Sequence, residues 1–181
     1  PIKDPNTQQV LAYEAQHVGS LRLIRGESMA KAIDSKPEDP AQIVPATLDV
    51  VSAKEEIYAG DRLAADIPFE IRSYVPKAPS NPVLARVASL HGNAFAVAGQ
   101  RQVLAINRGS RDALAVGDIL AVLNNGETVI DKTAEKPQAI RLPAERNGIA
   151  MVFRVFEKVS YVLVLESQRP IAIGDYLVNP R

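Results

Sequence analysis

The chain has 181 residues, 46% of them hydrophobic, which is enough for one or two domains with a real core. Its 21 basic and 21 acidic residues cancel, which excludes the charge footprint of a nucleic-acid binder or of a protein held on an anionic membrane. Cysteine is absent and aromatics make up only 5% with no Trp, so disulfides and thiolate chemistry are excluded and the core must be aliphatic, as in small β modules.

Pro1-Ile2-Lys3 is not a natural start, so the chain reads as a processed or trimmed piece whose first module is incomplete at its N-terminus. Residues 1–65 form that first β module. Lys3–Thr7 is a turn, and Val10–His17 and Leu21–Arg25 read as strands joined at Gly19-Ser20. Pro37, Pro40 and Pro45 keep Glu27–Pro45 irregular, with room for one helical turn at Met29–Ile33. Thr47–Val51 is a strand, and Arg62–Ala64 a short one opened by Ala59-Gly60-Asp61. Residues 66–82 are a linker or arm, made extended by Pro68, Pro76, Pro79 and Pro82. A pure spacer has no use for apolar Phe69, Ile71, Tyr74 and Val75, so these four are the candidate partner-binding residues, packing either on a neighbouring module or on another chain.

Residues 83–181 form the second module. Leu84–Leu90, Ala94–Ala98, Val103–Asn107, Ile119–Leu123 and Ala139–Leu142 read as strands, with a short helical turn at Arg111–Leu114. Asn125-Gly126 signals a hairpin returning through Glu127–Ile130, and Asp131–Gln138 is a polar loop. The chain is organised around Gly148–Val178. There, apolar residues alternate through Met151, Phe153, Val155, Val159, Tyr161, Leu163 and Leu165, giving one bent strand or two antiparallel ones with a break near Glu157-Lys158. The equally spaced Gly60-Asp61, Gly117-Asp118 and Gly174-Asp175 repeat one element, a turn in which Gly relieves the backbone and Asp bonds to it. Gly19, Leu21–Arg25 and Gly60 match Gly148, Ala150–Arg154 and Gly174, so the first module looks like a degenerate copy of the last. The fold class is therefore all-β: two small barrel- or sandwich-like modules joined by a Pro-rich linker.

Catalytic and metal-binding motifs are lacking. Glu14 and His17 have the spacing of a helical metal pair but face opposite ways along a strand. Glu14, Glu145, Glu157, Glu166, Asp112 and Asp118 are spread over turns and strand ends, which suits solvated surface more than acid–base work. Gly99-Gln100-Arg101 and Asn107-Arg108-Gly109 have the composition of anion-binding turns, but a structural turn is the favoured reading of both. The reading is of no enzyme, no cofactor and no nucleic-acid partner.

Several stretches carry a family resemblance. They are Lys3-Asp4-Pro5 with Leu11–Ala15 and Val18-Gly19, then Tyr58–Leu63, then Ile106–Leu114 through Gly117–Val122. Most specific are Arg141-Leu142-Pro143, Glu145-Arg146, Gly148, Met151–Phe156, Val159–Tyr161 and Asn179-Pro180. On these residues the chain resembles the C-terminal region of the periplasmic LysM-domain proteins associated with the type IV pilus secretin. Its last module is similar to the FlgT-type C-terminal domain of a flagellar assembly protein. The LysM domain itself is absent, and Glu27–Pro45 is longer than that family leads one to expect. The resemblance implies a periplasmic, outer-membrane-associated structural adaptor. It would bind the secretin, plausibly as a homo-oligomeric ring around it, and help anchor it to peptidoglycan through a LysM domain outside this chain. The alternatives are a flagellar basal-body accessory and a cell-wall glycan-binding module.

Overall fold

A computed structural model of the chain describes residues 1–31, 36, 40–66, 73–91, 97–126, 128–131, 133 and 137–180. The protein divides into two compact units, one made of Pro1–Glu14 with Glu70–Arg181 and the other of Ala15–Phe69. The boundary differs from the expected one. The first fourteen residues belong to the unit of the second module, because Ile2 is buried with Ala88, Ala105 and Val159 of that unit.

These residues form a strap, β1 (Ile2–Lys3) paired with β2 (Val10–Ala12). Asp4 closes its turn, accepting from the amides of Asn6 at 2.8 Å and Thr7 at 3.0 Å, while the Asn107 amide donates to its other oxygen at 2.8 Å. Burial pushes the Asp4 carboxyl up, but the hydrogen bonds from Asn107, Thr7 and Asn6 outweigh it and hold the group below its ordinary value.

Among its described residues, the Ala15–Phe69 unit has two separate two-stranded sheets. One pairs β3 (Gly19–Arg25) with β6 (Thr47–Ala53), the other β4 (Ser28–Ala30) with β5 (Gln42–Val44). Met29 thus lies in a strand, not in the expected helical turn, because Met29 and Ile43 sit opposite each other across the β4–β5 ladder. The expected strand at Arg62–Ala64 is irregular backbone. Gly19 and Gly148 share a local reason for being glycine: a Cβ would lie 2.6 Å from the Ser52 carbonyl oxygen in one case and 1.9 Å from that of Glu166 in the other. The likeness between the modules stops at such local features.

The other unit is a closed antiparallel barrel. Its strands are β7 (Leu84–Leu90), β9 (Val103–Ile106), β10 (Ile119–Asn124), β13 (Glu145–Val155), β14 (Ser160–Ser167) and β16 (Tyr176–Val178). Around the barrel the order is β10, β13, β14, β9, β7, β16. Short pairs lie outside it: β8 (Val97–Ala98) with β15 (Ile171–Ala172), and β11 (Thr128–Asp131) with β12 (Gln138–Arg141). The organising stretch breaks at Glu157-Lys158 into β13 and β14, which pair antiparallel. Asn125-Gly126 does not return β10 on itself. β10 pairs with β13 and β16, and the Thr128–Asp131 strand finds Gln138–Arg141 instead. Alternate residues point into the barrel, where Val87, Leu104, Ile106, Leu120, Val122, Val152, Val162 and Leu177 are wholly buried.

The three Gly-Asp elements are one motif repeated. Gly60, Gly117 and Gly174 have φ of +107°, +93° and +96°, as the third residue of a type II turn requires. In each, the following Asp accepts from the amide three residues earlier: Tyr58 at 2.8 Å, Ala115 at 2.8 Å and Ala172 at 2.9 Å. The aspartates are staples of the backbone, exposed at Asp61 and buried at Asp118 and Asp175 where the turn lies against the barrel.

Candidate interaction surfaces

Of the four candidate residues in the arm, Phe69 and Ile71 lie outside the described residues. Tyr74 is half-buried and Val75 is 77% exposed. The backbone just beyond them is fixed to the barrel. The Lys77 amide donates to the Gly117 carbonyl at 2.9 Å, and the Lys77 carbonyl accepts from Ile119 at 2.8 Å. Lys77 Nζ lies 3.9 Å from Asp118, and Pro79 is buried. Gly117 is needed twice over, since a Cβ there would lie 2.4 Å from the Val75 carbonyl oxygen. The arm from Val75 to Pro79 therefore packs on its own unit and presents the Val75 side chain outward.

A second cluster joins the end of the strap to the barrel wall. Glu14 meets His91 Nδ1, and the Tyr161 hydroxyl donates to the same carboxylate at 3.2 Å. The Tyr161 ring is met edge-on by His91 at 5.7 Å and by Phe156 at 5.9 Å, and stacks on Phe153 at 6.4 Å between centroids. Arg154 lies 5.3 Å from the Phe156 ring centre. Burial, then the Glu14 charge and its hydrogen bond, raise the Tyr161 phenol above its ordinary value against the opposing pull of Arg154. The cluster holds an acid, a histidine and a phenol, but the groups satisfy one another. Among the described residues no Ser or Thr hydroxyl is bonded to His91, and the bonds to Glu14 latch the strap to the barrel wall. Sequence spacing pointed at Glu14 with His17, whereas His17 lies by Ser20, at 3.5 Å. No local signal links Glu14 to His91 or Tyr161, because the pairing is made by the fold.

The remaining polar candidates are engaged in turns or at the surface. Glu145 pairs with Arg169 at 2.9 Å, and Asp112 accepts from the Gly109 amide at 3.0 Å beside Arg108. In Gly99–Arg101 the Gly99 amide donates to the Gln102 side chain at 2.7 Å and the Arg101 amide to the Val164 carbonyl at 2.8 Å. Asn107 takes the Arg86 amide at 2.7 Å. These bonds tie both segments into the fold as structural turns.

Among the described residues, many exposed apolar side chains fall in the Ala15–Phe69 unit. Its β3–β6 sheet is two strands wide. Leu23 is 60% and Val50 57% exposed on one side, while Ile24 and Val51 are as exposed on the other. Met29 and Ile43 repeat this on β4–β5. Sequence reasoning read β3 and β6 as strands but not β4 and β5, and it put them in a closed module, so it missed the exposure. Comparison with protein-family models, with curated proteins and with solved structures finds no match.

Proposed function

We propose that this chain is a non-enzymatic structural adaptor, and that the Ala15–Phe69 unit is the part that completes itself on a partner protein. The observation that carries the reading is the β3–β6 sheet, whose apolar side chains are exposed on two strands with open edges. An isolated two-stranded sheet is marginal in water, and exposed apolar strands invite either aggregation or pairing with another protein. A partner strand added to β3 or β6 supplies the missing main-chain bonds and buries the apolar side chains together.

The resemblance of the sequence supplies the partner: an outer-membrane secretin of the type IV pilus kind. The adaptor sits in the periplasm, a ring of copies surrounds the secretin, and a LysM domain outside this chain holds the cell wall. On the barrel unit, exposed Val75 beside Tyr74 is a separate candidate contact. The test is to mix the purified chain with detergent-solubilised secretin and image it by cryo-electron microscopy. Density on the secretin wall that is lost with Leu23→Glu and Val50→Glu supports the reading. A bare secretin, with the chain captured instead by flagellar basal bodies, replaces it with the flagellar alternative.

A further inference from the structure

Among the described residues, the β3–β6 sheet leaves one edge of each strand open, and the two edges differ in charge. β3 carries Arg22 and Arg25 and no acid, whereas β6 carries Asp49 and no base. Arg22 and Asp49 stand opposite each other in the ladder, yet among the described residues neither forms an ion pair. Arg25 donates to the Thr47 hydroxyl at 3.3 Å. Leu21 opposite Val50 and Leu23 opposite Leu48 flank the Arg22–Asp49 position. Two bulges confine regular pairing to Leu21–Leu23 with Leu48–Val50, so each strand reads apolar, charged, apolar there. Neither strand holds a proline or a lysine, two residues with which edges are commonly guarded.

In an antiparallel ladder, residues opposite each other share one hydrogen-bonding state, and the backbone groups not turned to the partner point to the free edge. The residues of β3 that face its free edge therefore stand opposite the residues of β6 that face theirs. A second copy's β6 can join the free edge of β3 in the register that its own β6 uses, with the outward N–H and C=O groups matched over these three residues. That register sets Arg22 beside Asp49 of the second copy, and apolar side chains beside apolar ones on a shared face. Pairing like strands gains neither. β3 with β3 gathers arginines without a counter-charge, and β6 with β6 does the same with aspartates. A strand of unrelated sequence owes nothing to this pattern, whereas the next copy's β6 carries its complement.

We propose that copies of this chain join head to tail, β3 of one copy pairing antiparallel with β6 of the next. Each such contact leaves a free β3 edge at one end and a free β6 edge at the other, so it repeats until the rotation per copy closes a ring. The proposal rests on the adaptor reading for a ring of copies and refines it. The strand added to the sheet is the next copy's, and the apolar side chains on the sheet faces remain for the secretin.

The chain has no cysteine, so a single introduced thiol reports one contact. Leu21→Cys chains and Val50→Cys chains are oxidised separately and as a mixture, and disulfide dimers are read on non-reducing gels. These two positions face each other in the proposed register. Dimer is expected in the mixture and in neither chain alone. Sedimentation of the whole chain without secretin is expected to show association that rises with concentration. Arg22→Glu and Asp49→Arg should each weaken it about fivefold, the scale of one cross-strand charge pair, and the variant carrying both should regain it. Circular dichroism identifies any variant that has lost strand content, and the thiol pair, which leaves the charges in place, keeps the test decisive. A chain that stays monomeric at every concentration, as much dimer from one single-thiol chain as from the mixture, or a folded double variant no better than its parents overturns the proposal. Secretin binding by a chain that does not self-associate overturns it and leaves the adaptor reading standing. Self-association in this register without secretin binding supports it and removes the secretin from the adaptor reading.

Discussion

β3 in the Ala15–Phe69 unit and β7 in the barrel are both seven residues long, and each carries two leucines. Yet Ala85 and Val87 of β7 are wholly buried, while Leu23 and Ile24 of β3 face solvent. The difference lies in their neighbours. β7 is paired on both edges, with β16 and β9, within a closed wall that has a filled interior. Among the described residues, β3 is paired only with β6. A strand's own alternation selects which side chains share a face, but burial of that face requires a second layer or a closed wall. The barrel supplies its own, and the other unit does not. This is why partner binding is placed on the open unit.

The comparison is sharpened most by truncating one leucine in each region. Leu104→Ala in the barrel interior should cost about 3 kcal/mol in denaturant unfolding, from lost burial and the cavity left behind. Leu23→Ala should change stability by less than about 0.5 kcal/mol, since its side chain is already in water. Equal costs would mean that the open sheet is covered in solution.

The repeated turn gives the next contrast. Gly60 and Gly117 share a positive φ, so Ala at either position carries a strain of about 1–2 kcal/mol. Nothing lies near a Cβ at Gly60, whereas one at Gly117 meets the Val75 carbonyl. Gly117→Ala should therefore cost about 1–3 kcal/mol more, as an overpacked site does, with the arm lifted from the barrel. Thermal melting of the two variants side by side measures the difference.

A smaller effect tests whether the strap belongs to the barrel. Asp4→Ala should lower barrel stability by about 1 kcal/mol through the lost bonds to Asn107, Thr7 and Asn6. Because its folded carboxyl is held below the ordinary 3.8, the Asp4 contribution is complete above that pH. It fades as pH falls through the folded value. The acid limb of the stability profile should flatten in Asp4→Asn, and a wild-type limb in that variant would detach the strap from the account.

The smallest expected effect is at the latch. Tyr161 titrates above its ordinary 10.0, so its contribution to stability is complete below that pH and is lost as pH rises through the folded value. Glu14→Gln removes the second and third causes of the shift and should bring the titration back toward 10.0, with burial still holding part of it up. Tyrosinate absorbance reads this directly. An unmoved titration would mean that Glu14 does not face Tyr161 in solution.

Much of the strand content was legible in the residues. The alternation over Met151–Leu165 gave β13 and β14 with their break, and Leu84–Leu90 and Ile119–Leu123 were read nearly to their ends. The three Gly-Asp turns were legible because both demands are local: a positive φ and a carboxylate within reach of a nearby amide. Asn125-Gly126 misled, since a turn signal says that the chain reverses but not which strand it then joins. The Glu14–His91–Tyr161 cluster was invisible, because its members come from distant segments and only the fold brings them together.

By itself, then, the sequence determined the strands, their punctuation and the aliphatic character of the core, all of which follow from side-chain period and backbone sterics within a few residues. Only the tertiary structure decided which strands close a barrel, that the first fourteen residues join it, and which apolar and charged side chains are left facing outward. Those outcomes depend on pairing between distant segments, where many registers satisfy the same alternation and the free energy of the whole closed wall selects one.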